Sequence, residues 1–340
     1  MTTNAHDARP LLLGTRRSKL AVAQATWAAD RVTAATGRAV RLVPLSTEGD
    51  ESDAPIERFG STGVFVTALR KALLAGEVDF VVHSCKDLPT APEAALRLAA
   101  VPAREDPRDA LAGPAGLPGS LDALPPGAAV GTGSPRRAAQ ILARAPHVAV
   151  VPLRGNVDSR LARTATGELD AVVLAMAGLS RLGRLGEVAA PLRPDIVLPA
   201  PGQGALAIEC RADDPATASV LATADDPPTR LAVTAERAFL AGLDAGCTSP
   251  VGALATPANA RGLRLDGLVA APDGSTVLRS AATATVETRA EATALGERLA
   301  RALLADGGAA LLTTPAGTAA ADPRTRPDRP ARASQPLGRG

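Results

Sequence analysis

Short apolar runs alternate along the chain with longer stretches whose apolar residues recur at helical spacing. LLLG at 11–14 reads as a strand, Ser18 to Ala35 as an amphipathic helix, VRLVPL at Val40 to Leu45 as a second strand, and Val64 to Leu74 as a second helix. DFVVHS, Asp79 to Ser84, is a continuous apolar run that ends in polar residues. A buried strand of an open α/β sheet has that form, and its carboxyl end is where such sheets present ligand groups. Beyond Arg104 the alternation continues, with strands predicted over Ala128 to Gly131, Val148 to Val151 and Ala171 to Ala175 and helices starting near Pro135 and Asn156. Pro135 suits a first helical turn because the amide proton it lacks has no helical partner there. Pro199 to Cys210, PAPGQGALAIEC, supplies another apolar strand, and a helix from Pro227 carries RLAVTAERAFLAGL into a turn. Strands around Val251 to Ala255, Leu263 to Ala270 and Thr276 to Ser280, followed by a helix from Arg289 to Leu304, describe a small α+β unit. After Thr318 the sequence becomes rich in Pro, Arg, Asp and Ala without periodicity, and a disordered tail is expected.

A chain of 340 residues exceeds what one core usually serves, so two or three domains with clefts between them are expected. The 37 basic and 35 acidic residues nearly cancel, which leaves no global field for nucleic acid, and four Phe, one Trp and no Tyr supply few stacking platforms. No run has the length and apolarity of a membrane span, and MTTNAHDARPLLLG lacks the form of a secretion leader, so a cytoplasmic protein is expected. Cys85, Cys210 and Cys247 are odd in number and far apart, which argues against a disulfide framework or a metal cluster. A reducing compartment keeps Cys247 available as a thiol.

Candidate chemistry falls into four separated constellations: HSCKD at 83–87, GTGSPRR at 131–137, LRGNVDSR at 153–160 and AGCTSPVG around Cys247. Arginine forks bind carboxylates bidentately, and Arg16, Arg136, Arg137, Arg154, Arg160 and Arg181 stand beside Gly- or Ser-marked turns. One such arginine alone reads as solvated surface; three clusters in different units point to a ligand with many carboxylates. Ser18 and Ser134 sit at helix starts, where free amides also favour anions. GTGSPRR is not a Walker loop, since the Lys-Ser or Lys-Thr ending is missing. Asp87, next to Lys86, is a candidate acid-base group, with an ion pair or helix cap as the alternative. With histidines only at positions 6, 83 and 147, no protease-like triad forms around Cys247, so covalent attachment of a group to that thiol is the more economical reading.

With LLLGTRRSKLAVAQ, FVVHSCKDLPT, REDPRDAL, VGTGSPRRAAQ, LRGNVDSRL, AVVLAMAGLSRLG, LPAPGQGALAIECR and AGCTSPVGA in that order, the chain resembles the porphobilinogen deaminase (hydroxymethylbilane synthase) family from Leu11 to about Leu304. The resemblance implies two α/β domains of the type II periplasmic-binding-protein kind around a cleft, with a small α+β C-terminal domain. Domain 1 would be residues 1–104 with 200–225, domain 2 residues 105–199, domain 3 residues 226–315, and 316–340 a tail. It also implies a monomeric enzyme that adds four porphobilinogen molecules to a dipyrromethane primer, releases ammonia each time and frees hydroxymethylbilane by hydrolysis. By the same resemblance the primer is joined to Cys247 through a thioether. Asp87 is the catalytic residue and also contacts the cofactor, whose other partners are Lys86, Ser134, Arg136, Arg137 and Arg160. Arg16, Ser18, Arg154, Asn156 and Arg181 hold substrate, and no metal takes part. Cys85 is expected only to pack. Residues 47–63 correspond to a lid, in which Thr62 stands where some relatives carry Lys. A carboxylate-binding protein without catalysis would use the same two lobes and arginines, but would need neither Asp87 nor the Cys247 segment.

Overall fold

The computed structural model describes residues 9–45, 64–246 and 248–313. The lid residues 47–63, Cys247 and the tail 316–340 therefore lie outside the described residues.

The first lobe begins with β1 (Leu11–Arg16), α1 (Lys19–Thr36), β2 (Val40–Leu45), α2 (Val64–Leu74), β3 (Phe80–Ser84) and β4 (Leu96–Ala100). The second contains β5 (Asp109–Ala112), β6 (Ala129–Thr132), α3 (Pro135–Arg144), β7 (Ala149–Pro152), α4 (Val157–Ala165), β8 (Ala171–Ala175), α5 (Met176–Arg181) and β9 (Val188–Leu192). The chain then returns to the first lobe as β10 (Leu206–Arg211) and α6 (Pro215–Leu221).

The two five-stranded sheets share one plan. Their orders are β2-β1-β3-β10-β4 and β7-β6-β8-β5-β9. In each, the first three strands are parallel, and the fourth place is taken by an antiparallel strand, β10 or β5. Each antiparallel strand follows a passage of the chain from one lobe to the other, residues 101–108 for β5 and 199–205 for β10. The passages lie together, Glu105 N donating to Gly204 O at 3.3 Å.

Local chemistry accounts for these elements. Ser18 caps α1 by accepting from Ala21 N, and Gly37, in the left-handed region at φ 70°, ends it by donating its N–H to Thr33 O. The buried face of α1, Ala25, Ala28, Ala29 and Val32, packs on Leu13, Phe80 and Ile208 of the sheet. In the second lobe Ile141, Val130 and Val173 fill one core, and Leu153, Leu161 and Leu179 another. Burial on both faces explains why these strands read as continuous apolar runs.

The third unit joins α7 (Pro227–Gly242), the antiparallel sheet β11-β12-β13 (Val251–Pro257, Gly262–Ala270, Val277–Thr285) and α8 (Arg289–Leu303). Phe239 is fully buried among Leu265, Leu295 and Leu299. A Cβ on Gly296 would lie 2.3 Å from Ala235 O, so the absence of a side chain there lets α8 approach α7. β13 is longer than the predicted Thr276 to Ser280, because its second half is small and polar and pairs along the whole length of β12. β4, β5 and β9 are alanine-rich and had no strand signal of their own.

Candidate active site

Three of the four sequence constellations, 83–87, 131–137 and 153–160, come to the carboxyl ends of parallel strands. β1 ends at Arg16, with Ser18 two residues on; β3 ends at Ser84 and runs into a tight helical turn, Cys85–Asp87. β6 leads to Ser134 and the first turn of α3 with Arg136 and Arg137; β7 leads to Arg154, Asn156 and α4; β8 leads to α5, which ends at Arg181. Two of the turns fold for related reasons: Ser134 accepts from Arg137 N at 3.5 Å, and Asn156 Oδ1 accepts from Ser159 N at 2.9 Å. Those contacts use acceptor oxygens, leaving the Ser134 hydroxyl proton and the Asn156 amide hydrogens available as donors. Gly133 has no room for a side chain, since a Cβ would lie 2.3 Å from Leu153 O, and this close approach joins the two loops.

A buried carboxylate organises the second lobe. Asp109, wholly buried at the start of β5, accepts from Arg136 Nη1 at 2.8 Å, Arg137 Nη2 at 2.7 Å and Gln203 Nε2 at 2.9 Å. Burial works to raise its pKa, but the two guanidinium groups outweigh that cost and hold it well below the usual carboxylate range. Arg136 Nη1 also donates to Leu198 O at 2.6 Å, and Arg137 Nη1 to Val173 O at 2.9 Å. Arg136 is thus held by Asp109 and the Leu198 carbonyl, with 3% of its surface exposed.

One carboxylate facing two arginines leaves the cluster positive. Lys86 is pushed down to about 8, first by burial; Asp87 and Asp109 favour its charge and Arg137 and Arg136 oppose it. Arg160 is pushed down to about 10 by burial and by the charge of Arg137. Its Nε donates to Gly155 O at 2.7 Å, and among the described residues no carboxylate pairs with it. Burial also lowers Arg181, against the favourable charge of Glu105, and its Nη2 donates to Gly204 O at 2.7 Å. Asp87 is exposed at the end of its turn, and its charge reaches Lys86. Lys86, Asp87, Arg136, Arg137 and Arg160 are therefore linked electrostatically; Arg181 meets the passage at 199–205; Arg16 and Ser18 stand at the β1 end, and Arg154 and Asn156 at the β7 end.

Four residues outside the sequence-derived set complete the frame. Gln203 links Lys86 to Asp109; Glu236, wholly buried on α7, accepts from both Nη atoms of Arg104 at 2.6 and 2.9 Å and from Gly202 N at 2.6 Å. Ala255 N also donates to Glu236, at 2.8 Å, so this carboxylate ties the third unit to both passages. DPRDA and PGQGA carried Asp109 and Gln203 in plain sight, but nothing in spacing alone distinguished them from turn residues. Cys85 is buried against Gly202, and burial raises its thiol to about 11, a packing position.

Comparison with known proteins agrees with the sequence order. The model of "porphobilinogen deaminase, dipyromethane cofactor binding domain" matches residues 11–219, and that of "porphobilinogen deaminase, C-terminal domain" matches 230–305. Porphobilinogen deaminase 1 of Streptomyces coelicolor is 54% identical over 313 residues, covering 89% of this chain and 98% of its own. That of Thermobifida fusca is 53% identical over 303 residues, covering 88% and 94%. Among solved structures, an ABC-transporter periplasmic substrate-binding protein from Coxiella burnetii is 13% identical, with a TM-score of 0.39 over 65% of this chain and 94% of that one. With both domain models matched in order and more than half of the residues shared along nearly the full length of its relatives, the chain belongs to the porphobilinogen deaminase family, transferases that work with a dipyrromethane cofactor.

Proposed function

We propose that this chain carries out its family's reaction with Asp87 as the catalytic carboxylate and Cys247 as the thioether attachment point of the cofactor. The activity is hydroxymethylbilane synthesis, in which four porphobilinogen molecules and one water give hydroxymethylbilane and four ammonium ions. The observation that supports the residue assignment is the gathering of cations at the strand ends: Arg136 and Arg137, which share the buried Asp109, oppose the charge of Lys86, and Arg137 opposes that of Arg160.

A dipyrromethane with acetate and propionate on each ring brings four carboxylates, and the donor set fits it. Arg137, Arg160 and Lys86 supply cations, Ser134 a neutral donor, and Arg136 holds Asp109 so that Arg137 keeps its orientation. When bound, the cofactor supplies a nucleophilic pyrrole carbon at a fixed end. Asp87 accepts hydrogen bonds from pyrrole N–H groups, offsets positive charge as ammonia departs and takes the proton released on carbon–carbon bond formation. Arg16, Ser18, Arg154, Asn156 and Arg181 bind the carboxylates of incoming substrate and the growing chain. Cys247 follows Gly246 in the sequence, between the residues of α7 and those of β11, and one covalent link to it serves every cycle.

Residues 1–104 with 200–225, 105–199 and 226–315 act as three domains, the two passages serving as hinges. The protein works as a cytoplasmic monomer on small molecules, without nucleic acid; the net charge of +2 favours this, and among the described residues no helix is long and apolar enough to cross a membrane.

The test is the intact mass of the purified protein and of Cys247→Ala, followed by turnover of Asp87→Asn. Two pyrrole units on the parent and none on Cys247→Ala are expected, with Asp87→Asn retaining the adduct while losing ~100- to 10,000-fold in rate. An adduct that survives in Cys247→Ala would refute the attachment point, and near-normal turnover by Asp87→Asn would refute the catalytic assignment.

A further inference from the structure

Gln203 stands between two glycines in the left-handed region, Gly202 at φ 74° and Gly204 at φ 88°. Neither tolerates a side chain: a Cβ on Gly202 would lie 3.2 Å from Cys85 Sγ, and one on Gly204 2.5 Å from Glu105 O. The backbone is thereby pressed against the other passage, and the Gln203 side chain, 1% exposed, has one place to go.

Its two ends do different things. Oε1 accepts from Lys86 Nζ at 3.3 Å, while Nε2 donates to Pro107 O at 2.7 Å and Asp109 Oδ1 at 2.9 Å. Its main-chain oxygen accepts from Arg104 Nε at 2.7 Å. The partners belong to the end of β3 in the first lobe, to the passage at 101–108 and to the start of β5 in the second lobe. An acceptor toward an ammonium and two hydrogens toward a carbonyl and a carboxylate call for a primary amide of this length. Glutamate has no donor and would set an anion against Asp109; methionine makes neither contact.

We infer that Gln203 is a positioning residue for the polymerisation, its amide holding the Lys86 ammonium of one lobe in register with the Asp109–Arg137 pair of the other, so that carboxylate-binding groups on both lobes act as one frame. This rests on the reading of Lys86 and Arg137 as carboxylate-binding groups.

The consequence is electrostatic as well as geometric. Lys86 is faced by Asp87 on its own turn, by Asp109 of β5, by Arg136 and Arg137 of α3 and by the Gln203 oxygen, with burial lowering its pKa most. Removing the oxygen lowers that pKa further; replacing the amide by a carboxylate raises it.

The experiment follows kcat/KM for porphobilinogen against pH in the parent, Gln203→Met, Gln203→Glu and Lys86→Met, all as cofactor-loaded enzymes verified by intact mass. The alkaline limb of Gln203→Met is expected to move down by about one pH unit and that of Gln203→Glu up by about one unit, each with a several-fold rise in KM. A common loss of kcat with the limb unmoved in both overturns the inference, since it would make Gln203 a packing residue only. If neither variant folds, Gln203→Asn decides: it keeps the amide but draws back about 1.5 Å from Lys86, and an unmoved limb with parental KM overturns the inference. Lys86→Met tests the underlying reading separately, because a parental alkaline limb that persists in it refutes the role of Lys86, whatever Gln203 does.

Discussion

Lys19 Nζ, in the first turn of α1, lies 2.9 Å from Asp158 Oδ2, in the first turn of α4, so the two lobes are joined by an ion pair as well as by the two passages. Asp158 also accepts from Arg184 Nη1 at 2.5 Å. Lys19 is largely exposed, and exposed pairs contribute about 0–1 kcal/mol. That is too little to matter for folding, yet 1 kcal/mol changes an open-to-closed ratio about fivefold. Lys19→Ala is expected to leave the melting temperature within about 4 °C of the parent while enlarging the radius of gyration in X-ray scattering at low salt. Near 1 M salt, where the screening length is about 3 Å, parent and variant should coincide. A difference independent of salt would show that the ion pair is not what biases the lobes.

Beneath the first lobe's sheet, Glu209 receives both Nε and Nη2 of Arg70 at 2.9 and 2.7 Å, and His83 Nε2 lies 3.2 Å away without hydrogen-bond alignment. Burial works to raise the carboxyl, but His83 and Arg70 prevail and bring it down to about 2. A carboxylate depressed in the folded state adds stability above its unfolded value near 4.5, and that stability drains away as pH falls toward about 2. Glu209→Gln should therefore unfold in urea at neutral pH with roughly 3 kcal/mol less stability but show a shallower loss on acidification to about pH 3. Parallel acid profiles for the two proteins would remove Glu209 from the account of acid sensitivity.

The lobes were readable from sequence because their strands are buried on both faces and their helices on one, which yields apolar runs alternating with a 3.6-residue period. The motif ends of β1, β3, β6, β7 and β8 were readable for the same reason: polarity begins where the sheet's cover stops. β4, β5 and β9 were not, since LRLAA, DALA and VAAPL owe their strand state to neighbours already in the sheet. Asp109, Gln203 and Glu236 escaped notice because a buried polar residue is defined by its partners. Asp109 meets Arg136 and Arg137 27 and 28 positions away, and Gln203 meets it across 94, distances that no periodicity encodes.

The third unit tests helix packing by size alone. Gly296 on α8 faces Ala235 O and Phe239 N of α7, at 2.3 and 2.7 Å from where a Cβ would stand, and both are backbone atoms that cannot rotate away. Gly296→Ala should push the helices apart and destabilise this unit by about 1–3 kcal/mol, despite alanine's better helix propensity. Calorimetry should show the loss, and an unchanged or raised melting temperature would mean the helices separate without cost.

Arg137 and Arg160 are neighbours with opposite dependence on the fold. Arg137 compensates Asp109, a wholly buried carboxylate, so Arg137→Gln leaves that charge short of a partner and should cost about 3–5 kcal/mol. Arg160 has its charge disfavoured in the folded state, by burial first and Arg137 second, and the sign is therefore reversed: its ionisation works against folding at every pH below about 10. Arg160→Gln removes that penalty and loses the bond from Nε to Gly155 O, worth about 1 kcal/mol, the smaller of the two changes, so the substitution should not destabilise the fold. Both substitutions should weaken binding of a polycarboxylated pyrrole chain. Measured in the Cys247→Ala background, which cannot form the proposed thioether, Arg137→Gln should melt far below its parent and Arg160→Gln at or above it. Equal destabilisation by the two would mean that Arg160 serves the fold, and its assignment to the cofactor's carboxylates would fail.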